Sequence, residues 1–299
     1  MGMKWFVFIL LHFTITQGQM FGGKNADEGQ FPFMVQIWLH GDHWGQVCGG
    51  TIIDERWVLT ARHCIVDVEG NARNKDNLLV VAGTIHQVHF DEHEYFPAKV
   101  IPFETAESDI GLLYFTDPFP VSDEEVLVDK IDIVGRKDPI VTTNCRIMGW
   151  GRQKVNDVSP LVERHEFQGI VEQSDESERL KYDDQVKIVS GEKCENGKGS
   201  FSPELHVCVG KGSSEGLNLQ GDSGGPLVCE ENDKDVVVGV FSDSVFHFNW
   251  ENDQYTGMTM DYSKFVRMNS KFEKWIRDTM KKEGKNVECR LRLFGFCLK

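Results

Sequence analysis

Short apolar runs rich in β-branched and aromatic residues recur along the chain, at 33–39, 78–82, 110–115 and 236–241. Clusters of Gly, Pro, Asn and Asp separate them, which is the punctuation of an all-β sandwich or barrel. The helical period emerges clearly near the end, where Phe272, Trp275 and Ile276 share one face at i, i+3, i+4 spacing. A helix over 270–280 is predicted. At the start, the apolar stretch 5–13 follows Lys4 and precedes a polar stretch, 14–19. That is the three-part order of a secretory signal peptide, and the run is too short to span a bilayer. Thr16 and Gly18 at the −3 and −1 positions place cleavage after residue 18, so 1–18 is read as the signal. No later run reaches the ~20 apolar residues of a membrane helix. A secreted, extracellular protein without a membrane span is expected.

Composition adds exclusions. With 47 acidic against 32 basic side chains the formal net charge is −15, which argues against a phosphate backbone as partner. Hydrophobic residues at 40% and aromatics at 11% suit a folded chain rather than general disorder. Cys48, Cys64, Cys145, Cys194, Cys208, Cys229, Cys289 and Cys297 form an even set in an exported chain and read as up to four disulfides, with the pairing left open by counting. No C-x2-C pair suggests metal, and no Asn-x-Ser/Thr sequon occurs. Charge segregates in two places. Residues 172–184 carry six acids and two bases and read as a solvated loop; 281–299 carry six bases and two acids and read as a solvated extension.

The chemistry concentrates in Gly221-Asp222-Ser223-Gly224-Gly225-Pro226. Glycines on both sides of a serine let the backbone turn sharply and expose the hydroxyl and its neighbouring amides. A serine alcohol is a poor nucleophile until a base takes its proton. Thr60-Ala61-Arg62-His63-Cys64 offers the base, after a strand-like run. Ser108-Asp109-Ile110-Gly111-Leu112-Leu113 offers a carboxylate at the mouth of another apolar strand, where it needs a partner such as a histidine N–H. Gly221-x-Ser223-x-Gly225 also fits the nucleophile elbow of α/β-hydrolases, but those follow the order Ser, acid, His and alternate strands with helices. Here the order is His63, Asp109, Ser223, and helices are few.

Taken with Met20-Phe21-Gly22-Gly23, Cys48-Gly49-Gly50 and Met148-Gly149-Trp150-Gly151, these segments resemble the trypsin/chymotrypsin family of serine endopeptidases, in the family's order, over about 20–280. The resemblance implies two packed antiparallel six-stranded β-barrels, about 20–135 and 136–269, closed by the 270–280 helix, with the site in the cleft between them. It implies His63 as general base and then acid, Asp109 as its orienting partner, Ser223 as nucleophile, and the N–H groups of Gly221 and Ser223 as the oxyanion hole. Implied disulfides are Cys48–Cys64, Cys145–Cys229 and Cys194–Cys208; Cys289 and Cys297 lie outside the family core and are left to pair with each other in 281–299. The implied function is a secreted serine endopeptidase acting through an acyl-enzyme, a monomer without cofactor or metal. Its partners would be protein or peptide substrates and protein protease inhibitors. The rival is a catalytically impaired homologue that uses the same fold as a binding or regulatory module.

Departures from the family pattern sharpen these expectations. Asp222 matches the aspartate that receives a newly exposed N-terminal amine. Lys4 is the only basic residue before Met20, however, so no trypsin-like activation site exists, and cleavage after residue 18 leaves Gln19 ahead of Met20. Leu217 stands at the floor of the specificity pocket where trypsins carry an aspartate, which argues against Lys/Arg there. Leu219 replaces a bracing cysteine. Ser242 matches the serine of the substrate-binding strand, while Asp243 and Ser244 stand where tryptophan and glycine are usual. Leu217, Ser242 and Ser244 are the expected pocket residues. Arg62 beside His63 is larger than the family prefers: it either crowds the site or turns away to solvent. His86, His89 and His93 read as a polar hairpin rather than a metal site, Thr84 after Gly83 argues against calcium, and His40 and His43 flank a surface turn.

Overall fold

The computed structural model describes residues 23–40, 44–87, 94–121, 127–133, 144–150, 179–195, 201–210, 222–251 and 254–291. In chain order the elements are β1 (Lys24–Asn25), β2 (Met34–His40), β3 (Trp44–Asp54), β4 (Trp57–Thr60), α1 (Arg62–Ile65), β5 (Leu78–Ala82), β6 (Glu94–Tyr95), β7 (Lys99–Pro102), β8 (Gly111–Tyr114) and β9 (Asp132–Ile133). There follow β10 (Cys145–Gly149), β11 (Lys181–Asp183), β12 (Lys187–Val189), α2 (Glu192–Glu195), β13 (His206–Gly210), β14 (Pro226–Glu231), β15 (Lys234–Glu251), β16 (Gln254–Arg267) and α3 (Ser270–Leu291).

The strands form two curled sheets, mostly antiparallel, in a chymotrypsin-like arrangement. One has the order β6-β5-β2-β3-β4-β8-β7; the other runs β1-β11-β10-β14-β15-β16-β13-β12, with β9 added in parallel beside β15. All residues of β4, β5 and β8 are buried, so these strands are covered on both faces and read as unbroken apolar runs. Curvature comes from bulges at Ile37/Trp38, Ile52/Asp54 and Leu227/Val228. Asn232 and Asp233, both at positive φ (51° and 62°), turn β14 into β15. One core joins the sheets: Val35, Ile37, Leu59 and Leu112 of the first pack in the same cluster as Met148, Val228, Val240 and Val266 of the second and Phe272 and Ile276 of α3. Disulfides join Cys48–Cys64, Cys145–Cys229 and Cys194–Cys208.

Three regions differ from the sequence expectation. The strand expected at 236–241 continues as β15 to Glu251 and pairs with β16 down to Glu251↔Gln254. Ser242, Asp243 and Ser244 interrupt the apolar run but not the ladder, which absorbs them with a bulge between Phe241 and Asp243. The acidic stretch 172–184 is not a solvated loop at its end: β11 is inserted between β1 and β10, with Lys181 and Asp183 buried. Sheet pairing there outweighs the local charge. Helix α3 starts at Asn269, whose Oδ1 accepts the N–H groups of Lys271 and Phe272 at 3.0 Å. It docks Phe272 and Trp275 edge-on against Phe103 and continues past 280 through Cys289 to Leu291. Good helix formers and the Lys99–Glu283 ion pair extend it beyond the apolar stripe. No helix among the described residues is long and apolar enough to cross a membrane. The segment 1–18, His43, His89, His93 and Cys297 lie outside the described residues.

Candidate active site

Strand β4 pairs with β8 through Thr60↔Gly111. The one-turn helix α1, which follows β4, therefore stands beside the residue that leads into β8. That pairing brings His63 to Asp109. The His63 backbone N–H donates to Asp109 Oδ1 at 2.8 Å, and His63 Nδ1 lies 2.8 Å from Oδ2. A carboxylate accepts only, so the imidazole proton sits on Nδ1 and leaves Nε2 as the acceptor. The second sheet completes the carboxylate's shell, since the Ser242 hydroxyl donates to Oδ2 at 2.7 Å. Burial of Asp109 opposes its ionisation. The hydrogen bond and charge of His63, the Ser242 hydroxyl and the His63 N–H outweigh that and hold the carboxyl below its ordinary value. The side chain of His63 is 46% exposed and that of Asp109 only 15%, so the ring faces solvent with its partner behind it.

Ser223 belongs to a tight loop before β14 that is pressed against the first sheet. The Gly49 N–H donates to the Ser223 carbonyl at 2.8 Å, and Cys64 Sγ lies 3.6 Å from the same oxygen. Gly224 follows at φ +84°, a conformation L side chains rarely adopt, and a Cβ there would sit 2.1 Å from Thr60 Oγ1 and 2.5 Å from Gly49 O. Bonds from Gly224 N–H to Phe241 O and from Phe241 N–H to Gly225 O, each 2.8 Å, tie the loop to β15. The neighbouring Asp222 is fully buried, and Gly149 gives it room: a Cβ on Gly149 would lie 1.8 Å from the Asp222 carboxylate. Gly221 and Leu217 lie outside the described residues.

Arg62 does not crowd the histidine. Its Nε donates to Phe103 O at 3.0 Å and its Nη2 to Gly70 O at 2.9 Å, so the guanidinium is spent on two backbone carbonyls. His63 also lies within 4.8 Å of the Cys48 and Cys64 sulfurs, but these are bonded to each other and offer no thiolate to a metal. Ser244 donates its N–H to Asp243 Oδ1 at 2.8 Å.

Two residues escaped the sequence reading. His206, on β13, is buried, and its Nδ1 accepts the Ser202 N–H at 3.0 Å. Burial, then the Lys264 charge, push its pKa down to about 4 against a small opposing pull from Asp109. Lys264, on β16 opposite Asp243, has its ammonium 3.9 Å from the Asp243 carboxylate. Neither belongs to a local motif; only strand register brings His206 within reach of Asp109 and Lys264 of Asp243.

Comparisons with known proteins identify the family. A family model described as Trypsin matches residues 20–276. Kallikrein 1-related peptidase b16 of Mus musculus is 24% identical over 94% of this chain and 100% of its own. Lectizyme of Glossina austeni is 28% identical over 88% and 87%, and Trypsin eta of Drosophila melanogaster 28% identical over 81% and 90%.

Proposed function

The chain belongs to the trypsin family, and from that premise we propose that it is a secreted serine endopeptidase acting through His63, Asp109 and Ser223. The observation that carries this is the double hold of Asp109 on His63, through Nδ1 and through the backbone N–H, with Nε2 left free to accept a proton. In the family mechanism, His63 Nε2 takes the Ser223 Oγ proton as that oxygen attacks the peptide carbonyl. The tetrahedral oxyanion is met by the N–H groups of Gly221 and Ser223. The C–N bond then breaks, the amine leaves with the proton from His63, and the acyl group stays on Ser223. Water, deprotonated by His63, attacks the acyl carbonyl and frees the acid and the serine. Asp109 holds the tautomer and stabilises the imidazolium.

Asp222, buried beside Ser223, is the proposed acceptor for a free N-terminal amine that orders the loop. Specificity is proposed to differ from trypsin's, because Leu217 offers no counter-charge at the pocket floor. Substrates are proteins or peptides. The test is labelling of the purified secreted protein with a fluorophosphonate probe beside Ser223→Ala, with N-terminal sequencing of the same sample. Labelling of the wild type alone, at Ser223, is expected. No labelling of protein shown to be folded and disulfide-bonded overturns the reading and favours a binding module.

A further inference from the structure

The proposed mechanism leaves one charged group beside the reacting centre unused. Asp243 follows Ser242, whose hydroxyl holds Asp109, and its side chain is 47% exposed. Its Oδ1 accepts the Ser244 N–H at 2.8 Å. Its Oδ2 lies 3.9 Å from Lys264 Nζ, too far for a direct hydrogen bond, and the Lys264 side chain is only 12% exposed. The carboxylate therefore keeps acceptor capacity on its open side.

Lys264 is the cation that faces this carboxylate, and the net effect of the surroundings is to raise its pKa. Burial raises the pKa of Asp243; Lys264, the Ser244 N–H and His63 pull it down, and the Asp109 charge adds to the rise. His206 is uncharged near neutral pH, and the Arg62 guanidinium is committed to the Phe103 and Gly70 carbonyls. Asp243, half exposed, thus lies within reach of the Asp109 charge with the Lys264 ammonium beside it. A second cation entering from solvent gains from both carboxylates.

We infer that Asp243 forms an anionic subsite beside His63 that takes a cationic side chain, lysine or arginine, of a bound peptide, at a position other than the one that enters the Leu217 pocket. This rests on the endopeptidase reading for its substrate and on geometry for its charge. The guanidinium or ammonium meets the exposed side of the Asp243 carboxylate, with the Lys264 ammonium 3.9 Å from Oδ2. The subsite recognises charge at the rim, where solvated approach is possible.

The test uses the full secreted protein and pairs of fluorogenic tetrapeptides that differ only in arginine against its uncharged isostere citrulline, with that position moved along the peptide. A ratio of kcat/KM favouring arginine by about tenfold, equivalent to ~1.4 kcal/mol, is expected at one position. It falls to near one in Asp243→Asn and rises in Lys264→Met, which removes the competing cation. A ratio near one at every position in the wild type, or a preference that survives in Asp243→Asn, overturns the inference and leaves the peptidase reading standing. The citrulline peptide reports general damage, which lowers both rates and not their ratio. If no peptide is cut, the endopeptidase reading falls, and the same pairs are compared as ligands of the wild type by fluorescence anisotropy. Tighter binding of the arginine member, lost in Asp243→Asn, then supports the subsite; equal binding overturns it.

Discussion

Replacing Ser242 by alanine removes one of the groups that hold the Asp109 carboxylate and touches nothing on His63 itself. The lost bond is a hydroxyl on a carboxylate oxygen at 2.7 Å, a kind that contributes about 1.5–3 kcal/mol. Not all of it is lost, because both contacts from His63 remain at 2.8 Å and water can take the hydroxyl's place on a side chain that is 15% exposed. Each ~1.4 kcal/mol of transition-state stabilisation is a factor of ten in rate, so kcat is expected to fall about tenfold. KM should move little, since the hydroxyl is bonded to Asp109 rather than turned toward substrate. The pH profile carries an independent signature. Asp109 is held below its ordinary value in the folded protein, so it adds stability above the unfolded carboxylate pKa and loses it as pH falls through the folded one. Without the Ser242 hydroxyl that folded pKa rises, so activity that needs the Asp109 carboxylate is lost at a higher pH, while the stability tied to its ionisation becomes smaller and its loss on acidification is complete at a higher pH. The assay is kcat and KM on one peptide from pH 4 to 9 for wild type, Ser242→Ala and Ser242→Thr. A Ser242→Ala rate within twofold of wild type, or a threonine variant as impaired as the alanine one, refutes the hydroxyl's role.

Three further outcomes are expected. Arg62→Ala loses two bonds to carbonyls that water can partly replace, so the urea midpoint should report a loss of about 1–2 kcal/mol with kcat/KM changed less than about threefold; a much larger rate loss would mean that the guanidinium acts on His63. Gly224→Ala combines a positive φ with a Cβ 2.5 Å from the Gly49 carbonyl, and a destabilisation of about 2–5 kcal/mol is expected from the two penalties; thermal unfolding within 2 °C of wild type would contradict it. His206 is buried and neutral with its pKa lowered to about 4, so the unfolded chain binds its proton first. The resulting stability is present above about pH 6.5 and declines by up to about 3 kcal/mol toward pH 4. His206→Gln, which keeps an acceptor for Ser202, should flatten that part of the stability profile, and an unchanged slope from urea titrations at each pH would show that His206 is not its source.

How much of this was legible depends on the range of the interaction. Strands such as β5 could be read because a short run of five apolar residues, Leu78–Ala82, is too brief for a helix and holds two valines. The start of α3 could be read from the stripe of Phe272, Trp275 and Ile276, but its extension to Leu291 could not, because 281–291 carries helix propensity without apolar periodicity. The β15–β16 ribbon was hidden because Ser242, Asp243 and Ser244 end the apolar run at 241, and only pairing with β16 carries the strand past them. Lys181 and Asp183 looked solvated because charge is local and sheet insertion is not. His63, Asp109 and Ser223 were chosen as residue types with a chemistry, and their assembly was implied by family resemblance. The roles of Ser242, Arg62 and Lys264 needed the register of two sheets, which no local motif encodes.

That register is also what the site depends on. Asp109 Oδ1 accepts from the His63 backbone, within the first sheet's connections, while Oδ2 accepts from His63 Nδ1 and from Ser242 on the second sheet. Ser223 arrives on a loop of the second sheet and is fastened by Gly49 of the first. Outside the site, Trp150 Nε1 donates to Ile85 O at 2.9 Å and Gln36 Nε2 to His86 O at 2.6 Å, and Val240 and Val266 share one core with Val35 and Leu112. Hydrogen bonds near 2.8 Å weaken steeply with small displacements, and reacting atoms must be held to within a fraction of an ångström. Packing between the sheets therefore sets where Asp109 is held, and through it the orientation of His63. The departures from the family pattern respect this limit: Arg62 is absorbed by carbonyls of the first sheet, and Asp243 by a bulge and a lysine of the second. Neither displaces the Ser242–Asp109 contact that joins the two halves of the site.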